Sequence, residues 1–437
     1  MNDNKFESPA GKWWALFLLT AVYAVNIADR FVASTLIEPI KHEFSLTDSE
    51  VGLLTGTALA LFYVTLSMPL GILADRVHRK RMIAAALTIW STFTMFCGMS
   101  TSLVTLFLSR LGVGIGEAGS MPASVSLLAD RFSPAARGTA MSLFSVGAAI
   151  GAYLGATGGG WIADHYGWRT VLLTFGAAGI PLALLVLLGM REPKRGTFDT
   201  SDERTAKASF VETLRFIRGS KPLLHVVLGS TLVTFWGWGL LWWTPAFLSR
   251  SFHLSTGAAG DALGTIYGIG GTAAMLLTAL ALRKPKGNFD VFQARLVSVV
   301  TVVATIPSVL AYVSNSLSVV MVMLWVFIPA VYVFIGPAIS LAQNLAPPSM
   351  RGQVIGIIVF TTNVANLVIA PQLLGFLSDV VATKVAVPSE SLRYVLAGTA
   401  LTGFWAAWHF VLAARHVRRR EDVASNGRAQ RGSVTPA

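Results

Sequence analysis

Charge is what this 437-residue chain has least of: Asp, Glu, Lys and Arg make up 13% of it, about half the share of a soluble domain. A soluble chain of this length would divide into about three domains, each with a polar coat, and there are too few charged residues to supply one. Cysteine is nearly missing too. Cys97 stands alone, so no intrachain disulfide can form, and its apolar neighbours mark it as a small buried hydrophobe. The chain has no G-x-x-x-x-G-K-[ST] phosphate loop, which argues against an ATP-driven pump. No nucleophile–base pairing and no metal-ligand cluster can be read, so neither a catalytic residue nor a metal site is expected.

What the chain has is long apolar runs. Hydrophobic residues make up 54% of it. In windows of about 20 residues, the length that crosses a hydrocarbon core, twelve candidate spans emerge: 13–37, 49–74, 82–99, 102–130, 138–163, 169–190, 222–249, 256–282, 293–313, 317–342, 352–377 and 392–414. Backbone polar groups in lipid must be satisfied within the segment, so these runs must be helices. The expected fold class is all-α and polytopic. The net charge of +12 reports topology rather than a nucleic-acid partner. With both termini inside, 27 of the 34 Lys and Arg fall on cytoplasmic segments and five on outer loops, as the positive-inside rule requires. The expected location is the inner (plasma) membrane, with N- and C-termini cytoplasmic. Residues 1–11 are polar and the first apolar run is longer than a signal-peptide core, so span 1 is read as retained.

The main boundary is a polar break. Residues 1–190 form one six-span half and 222–415 the other. A linker at 191–221 separates them, and a basic cytoplasmic tail follows at 416–437. Phe210, Leu214 and Ile217 fall at helical spacing opposite Arg215 and Arg218, which fits either a short amphipathic helix lying on the inner leaflet or a solvated linker with a helical turn. An internal repeat supports two halves. Pro134-Ala-Ala-Arg137-Gly138 opens span 5 and Pro348-Ser-Met-Arg351-Gly352 opens span 11. Gly160-Trp-Ile-Ala-Asp164 closes span 5 and Gly375-Phe-Leu-Ser-Asp379 closes span 11. Many transporters are built from such repeats.

The loop after span 2 reads Gly71-Ile-Leu-Ala-Asp75-Arg76-Val-His78-Arg79-Lys80-Arg81. It resembles the signature of the major facilitator superfamily, with His78 where glycine is usual. The resemblance implies a cytoplasmic gate of Asp75, Arg76, Arg79, Asp130 and Arg137. Asn26-Ile-Ala-Asp29-Arg30 in span 1, Arg110-Leu-Gly-Val-Gly-Ile-Gly-Glu117 in span 4 and Ala129-Asp130-Arg131-Phe132 are similar to the Spinster-like branch of that superfamily. That branch moves lysophospholipids and sphingosine-1-phosphate, in some members coupled to protons.

Apart from helix ends, four ionisable residues lie within spans: Asp29, Arg30, Arg110 and Glu117. Each is costly in lipid, so it is expected to face a cavity and to have a partner. Asp29 lies about seven residues below the outer end of span 1, roughly 10 Å, and Arg110 about eight below that of span 4, roughly 12 Å. They are level, and an Asp29–Arg110 contact is expected. Glu117 is two turns deeper on the Arg110 face, where it could pair with Arg30. Glycines 112, 114, 116 and 119 allow neighbouring backbones to approach. Asp29 and Glu117 are read as proton carriers. Arg30 and Arg110, with Asn26, are read as ligands for an anionic headgroup, because guanidinium offers a bidentate fork to phosphate or carboxylate.

The second half has no Asp, Glu, Lys or Arg within 262–282, 296–341, 352–378 or 394–414. Trp236 and Trp238 are expected to line a cavity, and Trp242 and Trp243 to form an outer aromatic belt. Asn363 and Asn366 are read as interhelical hydrogen-bond partners, and His225 and His409 as packing residues. A charged half opposite an apolar, aromatic one suits a small amphipathic substrate. The expected partners are that substrate and membrane lipid, with no nucleic acid, and the chain is expected to be monomeric. No cofactor is expected, protons being the coupling ion. A drug/proton antiporter and an organic-anion/proton symporter are the alternatives. The first is weakened by Ala152, which stands where that group carries proline.

Overall fold

A computed structural model describes residues 9–74, 76–195, 197, 209–283 and 288–432. Among these there is no β-strand. The membrane helices of the first half are α1 (Pro9–Thr35), α3 (48–74), α4 (Arg79–Met99), α5 (103–131), α6 (134–166) and α7 (Trp168–Gly189); α2 (Ile37–Phe44) is a short helix between α1 and α3. After the linker helix α8 (Phe210–Gly219) come α9 (Lys221–Phe252), α10 (256–281), α11 (Phe289–Val313), α12 (317–345), α13 (351–382) and α14 (391–432). Eleven of these are long and apolar enough to cross a membrane. The twelfth is α5, whose pieces Leu103–Glu117 and Ser120–Arg131 are separated at Ala118 and Gly119. The fold is all-α, with twelve transmembrane helices in two six-helix halves. The last helix does not stop at 414; it continues to Gly432.

Packing divides the chain into two compact units. One comprises 1–202, 241–272 and 366–396, the other 203–240, 273–365 and 397–437. In the first, α1 packs along α6, and α4 along α7 and α5. Small residues set these distances, because apolar side chains gain nothing by leaving lipid for one another. A Cβ at Gly114 would overlap the Leu59 carbonyl, and one at Gly116 the backbone of Trp90. The second unit contains a buried apolar cluster that includes Leu223, Val226, Ala294, Leu341, Val354 and Ala413. Large apolar side chains at the surface, among them Leu188, Leu277 and Val104, would be a liability in water and suit contact with lipid.

The repeat seen in the sequence has a physical meaning. Helices α3, α6, α10 and α13 each contain a π turn, at Leu53–Thr57, Leu154–Gly158, Ile266–Gly270 and Val364–Ile369. Gly160 lies against the first turn of α10 and Gly375 against that of α3. Four residues on, an aspartate meets the same helix start. Asp164 accepts from the Ser255 hydroxyl before α10. Asp379 accepts from the Asp48 and Ser49 amides at 2.9 and 2.8 Å, satisfying free N–H groups at a helix N-terminus.

The linker helix is present as α8. Thr213 and Ile217 are buried while Phe210 and Leu214 stay exposed. The Thr213 hydroxyl donates to Gln353 at 2.6 Å, which fixes the rotation. Residues 196, 198–208 and 433–437, parts of the linker and tail, lie outside the described residues.

Candidate functional site

Helices α1 and α5 bring the four intramembrane charges together as two pairs. Arg30 donates to Glu117 Oε2 from Nε at 3.0 Å and from Nη2 at 2.7 Å. Arg110 Nη1 meets Asp29 Oδ2 at 3.4 Å. Both pairings are those the helix arithmetic suggests. The side chains of Asp29, Arg110 and Glu117 are 4% exposed or less, while Arg30 retains 13% and is the most accessible of the four.

The pairs differ in quality. Glu117 holds Arg30 tightly, and the guanidinium also lies 4.3 Å from the Tyr63 ring centroid on α3, a cation–π contact. Asp29 is held more loosely by Arg110, and its other oxygen accepts from Thr94 Oγ1 of α4 at 3.0 Å. Neither cluster is closed. Glu117 Oε1 and Arg110 Nη2 are buried without a hydrogen-bond partner, a spare acceptor and a spare donor where a lone polar atom is costly. Asn26 is buried beside them and lines, with Tyr23, Ser120 and Ser124, a void of about 10 Å³.

A second charged cluster, holding residues expected from sequence to form a gate, joins α4, the end of α5 and the segment after α7. Arg79 donates to Asp130, to Glu192 Oε1 at 2.8 Å and to the Ser126 hydroxyl at 3.1 Å. Glu192 also accepts from the Lys80 amide at 2.9 Å. Burial pushes the Glu192 carboxyl up, but the Lys80 amide and Arg79 outweigh it and hold the group below the usual glutamate range. Arg137 caps the Ala129 carbonyl at 2.8 Å rather than joining Asp130. Arg76 lines a cavity of about 640 Å³ with Leu70 and Met82. Asp75 lies outside the described residues. His78 has φ −65°, an ordinary conformation that does not call for glycine. Glu192 was not anticipated from sequence, although an acidic residue after span 6, close to a basic loop, was the available signal.

The second unit supplies aromatics. Trp236 is fully buried, 5.0 Å from Phe327 in ring centroids, with Nε1 donating to Ser308 at 3.3 Å. Trp238 is half-buried against Tyr332 at 5.2 Å. Trp242 and Trp243, which belong to the first unit, are not a membrane-surface belt. Trp242 donates to Thr55 at 3.1 Å, its carbonyl accepts from Ser34 at 2.7 Å, and Trp243 is fully buried beside Gly375. Specific partners on α1, α3 and α13 overrode the tendency of indoles to sit at the interface. His225 and His409 pack together, Nδ1 to Nδ1 at 2.9 Å, and the His225 ring stacks on His416. Asn366 Oδ1 is buried without a partner.

One polar cluster in the first unit had no counterpart in the sequence reading. Arg250 near the end of α9 binds both Asp48 oxygens at 2.7 Å and Glu38 at 2.8 Å, while Lys41 and Ser378 also reach Asp48. These residues lie in loops and helix ends, where charge is unremarkable in sequence and only tertiary contact gives it meaning.

Comparison with known proteins agrees with this architecture. The Major Facilitator Superfamily model matches residues 19–371. An MFS-type efflux pump of Mycolicibacterium smegmatis is 29% identical over 97% of this chain and 96% of its own length. The sphingosine-1-phosphate transporter SPNS2 of Danio rerio is 25% identical over 86% and 78%. The crystal structure of a bacterial homolog of the human lysosomal transporter Spinster, inward-facing and unoccupied, matches with a TM-score of 0.82 at 26% identity. That match covers 94% of this chain and 98% of the other.

Proposed function

The chain belongs to the Major Facilitator Superfamily, and from that premise we propose that it is a proton-coupled secondary transporter, working by alternating access, for an amphipathic anionic substrate of the lysophospholipid or sphingoid-phosphate class. That it is a multi-pass membrane protein of a transporter family with Spinster-like relatives is shown; coupling and substrate are the proposal. The observation that carries it is the pair of buried ion pairs in α1 and α5 with one unused donor and one unused acceptor. Buried ion pairs stabilise poorly compared with apolar packing, so four charges in lipid-spanning helices point to work other than holding helices together.

Arg30 and Arg110 bind the substrate's phosphate or carboxylate through their guanidinium forks. When an anion engages an arginine, the neighbouring carboxylate loses part of its counter-charge. Asp29 or Glu117 then takes up a proton, since burial favours the neutral form. The uncharged interior of the second half provides the apolar chemistry a lipid tail requires. Arg79, Asp130 and Glu192 form the cytoplasmic gate, to which the family resemblance adds Asp75. The protein acts as a monomer in the plasma membrane with both termini cytoplasmic and needs no cofactor besides protons.

The test is substrate-driven proton movement in proteoliposomes, comparing wild type with Arg110→Ala. A lysolipid should acidify or alkalinise the lumen with wild type only, and equal signals from both proteins would refute the assignment. The efflux-pump relative favours a second reading, drug/proton antiport. Binding of a single-chain lysolipid, a cationic dye and a small organic acid separates the readings.

A further inference from the structure

Helices α11 and α14 pack along each other within the second unit. At the end where α14 continues toward the C-terminus they leave a cavity of about 360 Å³ lined by Arg295, Arg415 and Arg418. Three arginines converge on one cavity, and all three are exposed. None has an ion pair with a carboxylate among the residues whose side chains are described, and the acid at the start of α11, Asp290, accepts from Asn344 and Gln293.

The lining is graded. Val299 lies one turn from Arg295 toward the span interior. Val411 and Ala414 lie one turn from Arg415 and Arg418 in the same direction. Each cation therefore sits above an apolar residue at the depth where span gives way to tail. Arg415 also lies 5.6 Å from the ring of Trp408, an indole left half exposed on α14, as aromatic groups at the headgroup level are. Snorkelling would bring single arginines to this depth. It gives no reason for three from two helices to surround one hollow, where like charges repel unless an anion joins them.

We propose that this cavity binds the phosphate of an anionic phospholipid from the leaflet on the side of the C-terminal tail, with an acyl chain along Val299, Val411 and Ala414. Guanidinium forks match phosphate oxygens, and basic hollows between membrane helices suit anionic headgroups. The site is separate from the α1–α5 charge pairs and does not depend on what the protein transports.

The full chain in neutral detergent is titrated with phosphatidylglycerol, phosphatidylcholine or inorganic phosphate, with native mass spectrometry and thermal unfolding as readouts. Phosphatidylglycerol should bind and stabilise wild type, and phosphatidylcholine should not. Apparent affinity should fall on the order of tenfold or more in the Arg295→Gln, Arg415→Gln, Arg418→Gln triple variant. A control with equal charge loss, Arg215→Gln, Arg218→Gln, Lys221→Gln, should stay near wild type. Val411→Trp, which fills the hollow and keeps every charge, should also lose the lipid and covers the case of a triple variant that does not fold. Equal losses in the triple variant and the control, or undiminished binding in Val411→Trp, overturn the proposal. So does stabilisation by inorganic phosphate alone with no lipid retained, which would mark a free-anion site.

Discussion

The two compact units bury different polar chemistry. The first holds Asp29, Arg30, Arg110 and Glu117 in its interior, whereas the interior of the second relies on hydroxyls and amides: Thr301, Thr305, Ser308 and Gln293. A hydroxyl on a helix satisfies itself by donating one turn back, as Thr305 does to Thr301 at 2.7 Å, and needs no partner from elsewhere. A charge cannot do this. The first unit is thus bound by charge to a specific cross-helix arrangement, whereas the cross-helix polar contacts of the second, such as Trp236 to Ser308 and Thr213 to Gln353, are uncharged.

That contrast is open to attack. The largest effect should come from Arg30→Ala, which leaves Glu117 buried and unpaired at a cost of about 3–5 kcal/mol, read as a lower unfolding temperature in detergent. Replacing both partners, Arg30→Met with Glu117→Leu, should regain most of that stability and still abolish proton-coupled uptake. Uptake surviving in the double variant would reduce the pair to a structural brace. Trp236→Ala in the second unit should cost a similar or slightly smaller amount, about 3–5 kcal/mol, through lost packing on Phe327 and Ser308. It should leave the pH dependence of uptake unchanged, and a shifted pH profile would erase the distinction between the units.

Arg250→Gln should cost about 2–3 kcal/mol, since it strips Asp48 and Glu38 of their shared cation. The readout is faster thiol labelling of a Ser49→Cys probe, and unchanged labelling would show the cluster to be ornamental. The smallest effect concerns pH. Glu192 is held below the ordinary glutamate value of 4.5, so its contribution is present at neutral pH and lost as pH falls below that value. Wild type should lose about 1 kcal/mol more than Glu192→Gln between neutral and acidic pH. Parallel stability curves would remove Glu192 from the gate cluster.

The charge pairing was legible because helices are regular. Two residues at equal depth on adjacent spans, and two at a seven-residue spacing, leave few partners to choose from. Thr94 and Tyr63 were not legible, since hydroxyls and rings abound in these spans and nothing in the sequence distinguishes the ones that touch Asp29 and Arg30. Trp242 and Trp243 misled for the same reason. Position near a span end suggested an interface, while the Ser34 and Thr55 contacts that bury Trp242 come from helices far off in sequence.

The sequence by itself determined the twelve apolar segments, because lipid leaves a long apolar run no alternative to helix, and it determined that four ionised groups had to be paired. Tertiary structure alone decided how well each pair closes and which atoms stay unpartnered. It also decided which loop charges cluster around Asp48 and which arginines of α11 and α14 share a hollow. Those outcomes depend on helix rotation and on side chains brought together from distant segments, and no local pattern encodes either.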